Sequence, residues 1–160
     1  MRQKVIELLR ENARLTNAEI AVRLGINEAD VARVIQEAED QGDIRGYHTI
    51  LAEGVLASRD VTSLIEVKLT PERDRGFDRI AERIARFPEV ESCWLMSGSY
   101  DLLVAVKGPD VHSVARFIAE RLSPLEGVTA TTTHFRLKVY KEGGVMLTTE
   151  KQLERLPVSP

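Results

Sequence analysis

Along the first 44 residues the apolar positions recur at intervals of three and four, and from about residue 61 they recur at intervals of two. The change of period divides the chain into a helical block and a block that mixes strands with helices. In the first block Val5, Ile6, Leu8 and Leu9 form a helical stripe that ends near Asn12. The second helix is announced by Thr16 with Glu19 three residues on, the spacing of a capping box. It carries Ile20, Ala21 and Leu24 and stops at Gly25, which can take the left-handed backbone of a tight turn. Asn27 caps a third helix whose inward side is Val31, Val34, Ile35 and Ala38. Two helices joined by a short Gly-containing turn predict a helix-turn-helix over residues 1–46, with Gly42 and Gly46 closing the helical region.

In the second block, 61–69, 90–98, 100–108 and 128–140 read as strands by their alternation. Between the first two lies a helix with Phe77, Ile80, Ile84 and Phe87 on one face and Pro88 after it. Between the last two lies another, with Val111, Val114, Phe117, Ile118 and Leu122 facing one way. The order β-α-β-β-α-β predicts a ferredoxin-like sheet of four antiparallel strands with both helices on one side. The fold class is therefore α+β. Residues 47–60 form a linker containing the β-like YHTIL, expected to run along a dimer surface, and 141–160 form a polar tail with a loose end.

A net charge of −3 and a pI near 5.7 argue against a general polyanion binder, so any contact with nucleic acid must come from local geometry or assembly. The third helix sharpens the problem. From Glu28 to Gln41 it holds five acids and one base, Arg33, and residues 1–47 hold seven bases against nine acids. One cysteine, Cys93, excludes an intrachain disulfide and a cysteine-based zinc site, and it reads as a small strand residue. His48, His112 and His134 stand far apart, with no pair at ligand spacing, so no metal or cofactor is expected. Trp94 and Met96 alternate on one strand and are expected at a dimer interface or in the core. The salt-laced stretch DRGFDRIAERIAR reads as a solvated helix face. No long apolar run or signal-peptide core appears, and the chain is expected to be soluble and cytoplasmic, without membrane contact.

The stretches NARLTNAEIAVRLGI, GDIRGYHTIL, FPEVESCWLMSGSYDLLVAVKG and EGVTATTTHF together resemble the Lrp/AsnC family of transcriptional regulators, over nearly the whole chain. The resemblance implies a RAM-type effector domain at 61–140. It also implies dimers that assemble into tetramers or octamers, and an amino acid or similar small molecule bound between dimers. In that family a Gly-x-Tyr-Asp loop lines the effector site, here Gly98, Ser99, Tyr100 and Asp101, and a Thr-x-Thr falls on Thr131 and Thr133. The chemistry fits: a bare Gly98 N–H for a carboxylate, Asp101 for an ammonium, Tyr100 as a flat wall, and two threonines on one strand face. A plain β-turn whose Asp bonds its own backbone is the competing reading. His134 reads as an ordinary strand histidine or as a neighbour of the ligand.

For double-stranded DNA, Arg33 suits guanine, Gln36 adenine and Glu28 cytosine, while the helix start capped by Asn27 favours a phosphate. Arg14, Arg23 and Arg45 would flank the groove. Relatives carry a more basic reading helix, so the acidic one implies weak, salt-sensitive binding that depends on avidity in the assembly or on a more basic relative within it. Two other readings stay open. One is an effector-sensing scaffold or partner protein that has lost DNA. The other is an enzyme like the haem-biosynthesis decarboxylases of similar architecture, whose basic, histidine-lined pocket has no counterpart among these motifs. No nucleophile elbow, phosphate loop or paired-carboxylate site appears, and no enzyme activity is expected.

Overall fold

The computed structural model describes residues 1–52, 54–56, 60–70 and 77–148. The chain divides into two compact units, Met1–Ile50 and Leu51–Pro160.

The first unit holds α1 (Arg2–Glu11), α2 (Asn17–Leu24) and α3 (Glu28–Asp40). Its core is Val5 and Leu9 of α1, Ile20 and Ala21 of α2, and Val31 and Val34 of α3, with Ile26, Ile35 and Ile44 packed against it. The start of α2 is fixed by reciprocal bonds. Thr16 Oγ1 accepts from the Glu19 N–H at 3.2 Å, and the Glu19 carboxylate accepts from the Thr16 N–H at 2.8 Å. Its end is fixed by Gly25, at φ 64. There the Ile26 N–H reaches the Ala21 carbonyl and the Gly25 N–H reaches the Val22 carbonyl. This pair of bonds reverses the chain within one residue of left-handed backbone and drops Ile26 onto the core beside Ala21. A residue with a Cβ would be strained at that φ, so the turn between α2 and α3 depends on the glycine.

The second unit is an antiparallel sheet in the order β2-β3-β1-β4, built from β1 (Val61–Leu69), β2 (Val90–Leu95), β3 (Leu102–Gly108) and β4 (Val128–Phe135). Helix α4 (Asp78–Ala85) connects β1 to β2, and α5 (Val111–Phe117) leads from β3 toward β4. On one face Ile65, Val67, Leu102, Val104 and Val106 are buried with Ile80 and Ile84 of α4 and Val114 and Phe117 of α5. Both helices thus lie on that face, as the ferredoxin-like order requires.

Several boundaries differ from the sequence expectation. β4 ends at Phe135 rather than 140, because its only neighbour, β1, runs out: the Arg136 N–H makes the last bond, to the Thr62 carbonyl at 2.9 Å. β2 stops at Leu95 and β3 begins at Leu102, leaving 96–101 as a loop closed by the Met96 N–H on the Asp101 carbonyl. Val111, expected inside, is 48% exposed because it stands first after the Asp110 cap, one turn before the helix meets the sheet. Beyond Phe117 the helix widens into a π-turn over Ile118–Leu122, which still buries Leu122. YHTIL pairs with no strand among the described residues, since a strand needs a neighbour and extended backbone alone supplies none. Part of the expected tail is ordered instead: Lys141–Glu142 and Val145–Met146 form a two-stranded hairpin across Gly143 and Gly144. The loose end expected after residue 148 and the residues before Phe77 in the salt-laced stretch lie outside the described residues.

Candidate functional site

The outward side of α3 carries the candidate base-reading residues. Glu28 and Ala29 are exposed in its first turn, and Arg33 and Gln36 follow. Asn27 is spent locally, its side-chain oxygen accepting from the Ala29 N–H at 3.0 Å, so it acts as the cap and frames the helix start. Arg33 is held from both sides along the helix. Its Nη2 donates to Asp30 at 3.1 Å and its Nη1 to Glu37 at 3.2 Å. The Asp30 bond, then Glu37, lifts the guanidinium above its ordinary pKa. Gln36 is tied the same way, its amide nitrogen donating to Asp40 at 3.0 Å. Both candidate readers are therefore engaged by acids of their own helix.

Of the flanking arginines, Arg23 stands exposed in the last turn of α2, and Arg14 and Arg45 are placed by turns. Arg14 lies in the α1–α2 connection, exposed, its backbone N–H bonded to the Asn12 side chain at 3.0 Å. Arg45 folds back over Gly42, where a Cβ would stand 3.1 Å from its guanidinium carbon. Arg2 pairs with Asp43 and bonds Gln41, binding the start of α1 to the end of α3. Sequence reasoning counted Asp30 and Glu37 only as charge. Their i−3 and i+4 spacing from Arg33 was the available signal for the clamp.

In the second unit the 97–101 loop is anchored at the end of β1. The Asp101 N–H donates to the Val67 carbonyl at 3.0 Å, and the Asp101 carboxylate accepts from the Leu69 N–H at 2.7 Å. Gly98 has φ 136 with open space around it, a backbone that disfavours any side chain, and Ser99 is exposed beside a half-buried Tyr100. Thr131 and Thr133 pair with Val67 and Ile65 across β1 and β4, which puts both on the helix-covered face at the edge of the sheet. Thr131 Oγ1 lies 3.4 Å from Ser123 Oγ. The loop and the threonine pair thus flank the C-terminal end of β1 from opposite sides, two strand spacings or about 10 Å apart along the sheet. A cleft of about 340 Å³ opens elsewhere, between β3 and α5, lined among others by Lys107, Ser113, Phe117 and Arg121.

The other face of the sheet carries Glu66 of β1, Leu103 and Ala105 of β3, Trp94 of β2 and His134 of β4. His134 Nε2 stands 3.1 Å from Glu66 Oε1, a diagonal cross-strand contact. Trp94 faces Leu103 in register and is 47% exposed, and Met96 lies just past the strand, so neither joins the core. Cys93, on the opposite face, packs against the core, and burial raises its thiol above the ordinary value. Among the described residues no group of His, Cys, Asp and Glu is arranged to hold a metal, and no helix is long and apolar enough to cross a membrane.

Comparison with known proteins places this geometry. Residues 62–146 match the Lrp/AsnC ligand binding domain family, and residues 1–45 match a winged helix-turn-helix DNA-binding family. The chain is 43% identical over 158 residues to the uncharacterized HTH-type transcriptional regulator YugG of Bacillus subtilis, covering 98% of this chain and 95% of that one. It is 30% identical to a leucine-responsive regulatory protein of Rhizobium meliloti, covering 87% and 88%. Among solved structures it is similar to a transcriptional regulator of Neisseria meningitidis in complex with L-Met. The TM-score is 0.67 at 26% identity, covering 88% of this chain and 90% of that one. The chain belongs to the Lrp/AsnC family of transcriptional regulators, joining a helix-turn-helix DNA-binding domain to a ligand-binding domain.

Proposed function

We propose that the chain is a cytoplasmic, non-enzymatic regulator that binds double-stranded DNA weakly and gains working affinity only through assembly. It senses an amino acid or similar molecule at the 97–101 loop and the threonine pair. The observation that carries the weak-binding reading is the state of Arg33, the one base on α3, which is held by two carboxylates. With seven bases against nine acids in residues 1–47, few phosphates can be neutralised per protomer. The salt slope scales with that number at about −0.9 per contact, so single-site binding is small and fades at modest salt. Several such units on one particle recover affinity by avidity, about 10²–10⁴ when their spacing suits the sites.

The effector reading draws support from the Neisseria relative, a regulator in complex with L-Met. It also draws on Asp101 and Thr131, which converge on the same end of β1. We place the effector between dimers, because the loop is exposed and needs a second surface to enclose a small molecule. Ligand would then alter how dimers associate, and through it the spacing of the α3 helices. The mostly acidic α3 favours one further reading, a mixed assembly with a more basic relative that supplies most of the phosphate contacts. The same acidity keeps open a scaffold that has lost DNA altogether.

Fluorescence anisotropy on duplex DNA from upstream of the chain's own gene, at about 50 and about 200 mM salt with and without pooled amino acids, separates these readings. Binding at low salt that falls steeply and responds to the pool is expected. Absence of binding at both salts would leave the scaffold or the mixed assembly.

A further inference from the structure

We propose that Asp30 and Glu37 are specificity determinants of the reading helix, acting through Arg33 to reject phosphate while leaving its N–H groups to a base edge. The proposal rests on α3 being the DNA-reading element and concerns how that element discriminates.

The geometry has three parts. Arg33 projects from the middle of α3 and its two terminal nitrogens each bond one acid, Asp30 a turn before and Glu37 a turn after. The guanidinium is stretched along the helix between them and cannot swing to a phosphate at the groove wall without breaking both contacts. The trio as a whole carries a charge of −1, so a phosphate approaching the guanidinium meets two carboxylates within a few ångströms of it. Guanine O6 and N7 are neutral acceptors and meet no such charge. A guanidinium has five N–H donors, and two bonds to the acids leave donors for them. Gln36, a neutral reader bonded to Asp40, repeats the arrangement one turn on. The face of α3 therefore presents donors without net positive charge. Such a surface gives up the sequence-independent phosphate attraction that dominates non-specific binding and keeps direct readout.

Asp30 and Glu37 are positioning residues in this scheme, and the test must read discrimination rather than affinity alone. The full-length double variant Asp30→Asn with Glu37→Gln is compared with wild type by anisotropy on two duplexes. One is the upstream duplex and the other a shuffled duplex of the same composition. Each is titrated across about 50–200 mM salt. The variant is expected to bind the shuffled duplex about two- to thirtyfold more tightly, the range two exposed ion pairs span. Its salt slope should steepen by about one. The upstream duplex gains less, so the ratio between the two falls. In an Arg33→Ala background the same two substitutions should leave that ratio unchanged. Equal gains on both duplexes, or a fall in the ratio that persists without Arg33, would overturn the proposal while the DNA reading stands. If neither wild type nor variant binds either duplex at about 50 mM salt, DNA reading by this chain's own assemblies fails and the proposal with it.

Discussion

The carboxylate of Asp101 and the backbone N–H of Leu69 are joined by a 2.7 Å hydrogen bond. The residue proposed to take an effector's ammonium therefore already holds the loop to the end of β1, where the register of β1 and β4 shifts at Lys68 and Leu69. The two roles separate by substitution. Asp101→Asn keeps an acceptor for Leu69 and removes the charge. Asp101→Ala removes both, at about 1–2 kcal/mol for a half-buried N–H left without its partner. The Asn variant is expected to melt close to wild type and to lose its DNA-binding response to amino acids. The Ala variant should melt several degrees lower. An Asn variant with an intact response would take Asp101 out of the effector site.

The α2 cap makes the stability of the first unit depend on pH. The Glu19 carboxyl is held below the ordinary carboxylate range, first by the bond from the Thr16 backbone N–H and then by the Thr16 hydroxyl. A depressed folded value means the contribution is present above the unfolded pKa and is lost as pH falls through the folded one. Thr16→Ala is expected to cost about 1 kcal/mol at neutral pH, the usual worth of such a cap. Glu19→Gln should be less stable than wild type at pH 7 and lose less on acidification to pH 3. Urea denaturation at the two pH values checks both.

Caps and turns such as these were legible in the sequence because they are local. Thr16 with Glu19, Gly25, and Asn27 before Val31 each declare themselves within four residues. The ferredoxin-like order was legible from alternating periods. What could not be read is what joins distant segments. Nothing near Asp101 in sequence points to Leu69, 32 residues away, and His134 meets Glu66 from 68 residues away. The strand ends were misjudged for a related reason. Residues 136–140 alternate like a strand, but strand length is set by the neighbour, and β1 begins at Val61. The Gly143–Gly144 hairpin did carry a local signal, a Gly-Gly pair of the kind two-residue hairpin turns favour, within a segment read as a polar tail.

Cys93 should be slow to react. Burial against the sheet core raises its thiol above the ordinary value, which lowers the thiolate fraction at any given pH, and its Sγ lies 4.0 Å from the Ala81 carbonyl. Native protein at pH 8 is expected to take up a thiol reagent at least about tenfold more slowly than the urea-unfolded chain, a tenfold rate ratio per pKa unit at most being available from ionisation and the rest from access. Equal rates would place Cys93 outside the packed core.

The helix-free face of the sheet, which Leu51, Ala52, Gly54 and Leu56 approach at its Thr62 and Lys107 end, yields the last prediction. Trp94 stands opposite Leu103 there, with half-buried Leu64 and buried Ala105 on the same side, while α4 and α5 occupy the other. A sheet with one face packed and the other apolar at its centre is completed by a second layer, and in the proposed assembly that layer is a second copy. Trp94 is 47% exposed in the single chain and contributes nothing to the helix-side core. Trp94→Glu should therefore leave the secondary structure and melting cooperativity of the chain intact. Across a copy-to-copy interface it would bury an unpaired carboxylate, which is costly enough to displace association by orders of magnitude. Light scattering is expected to give an assembly for wild type and a monomer for the variant. Because Trp94 is the only tryptophan, its emission in wild type should shift to the red on dilution as that interface opens. A variant that scatters like wild type, together with emission that ignores dilution, would move the interface to another surface of the domain.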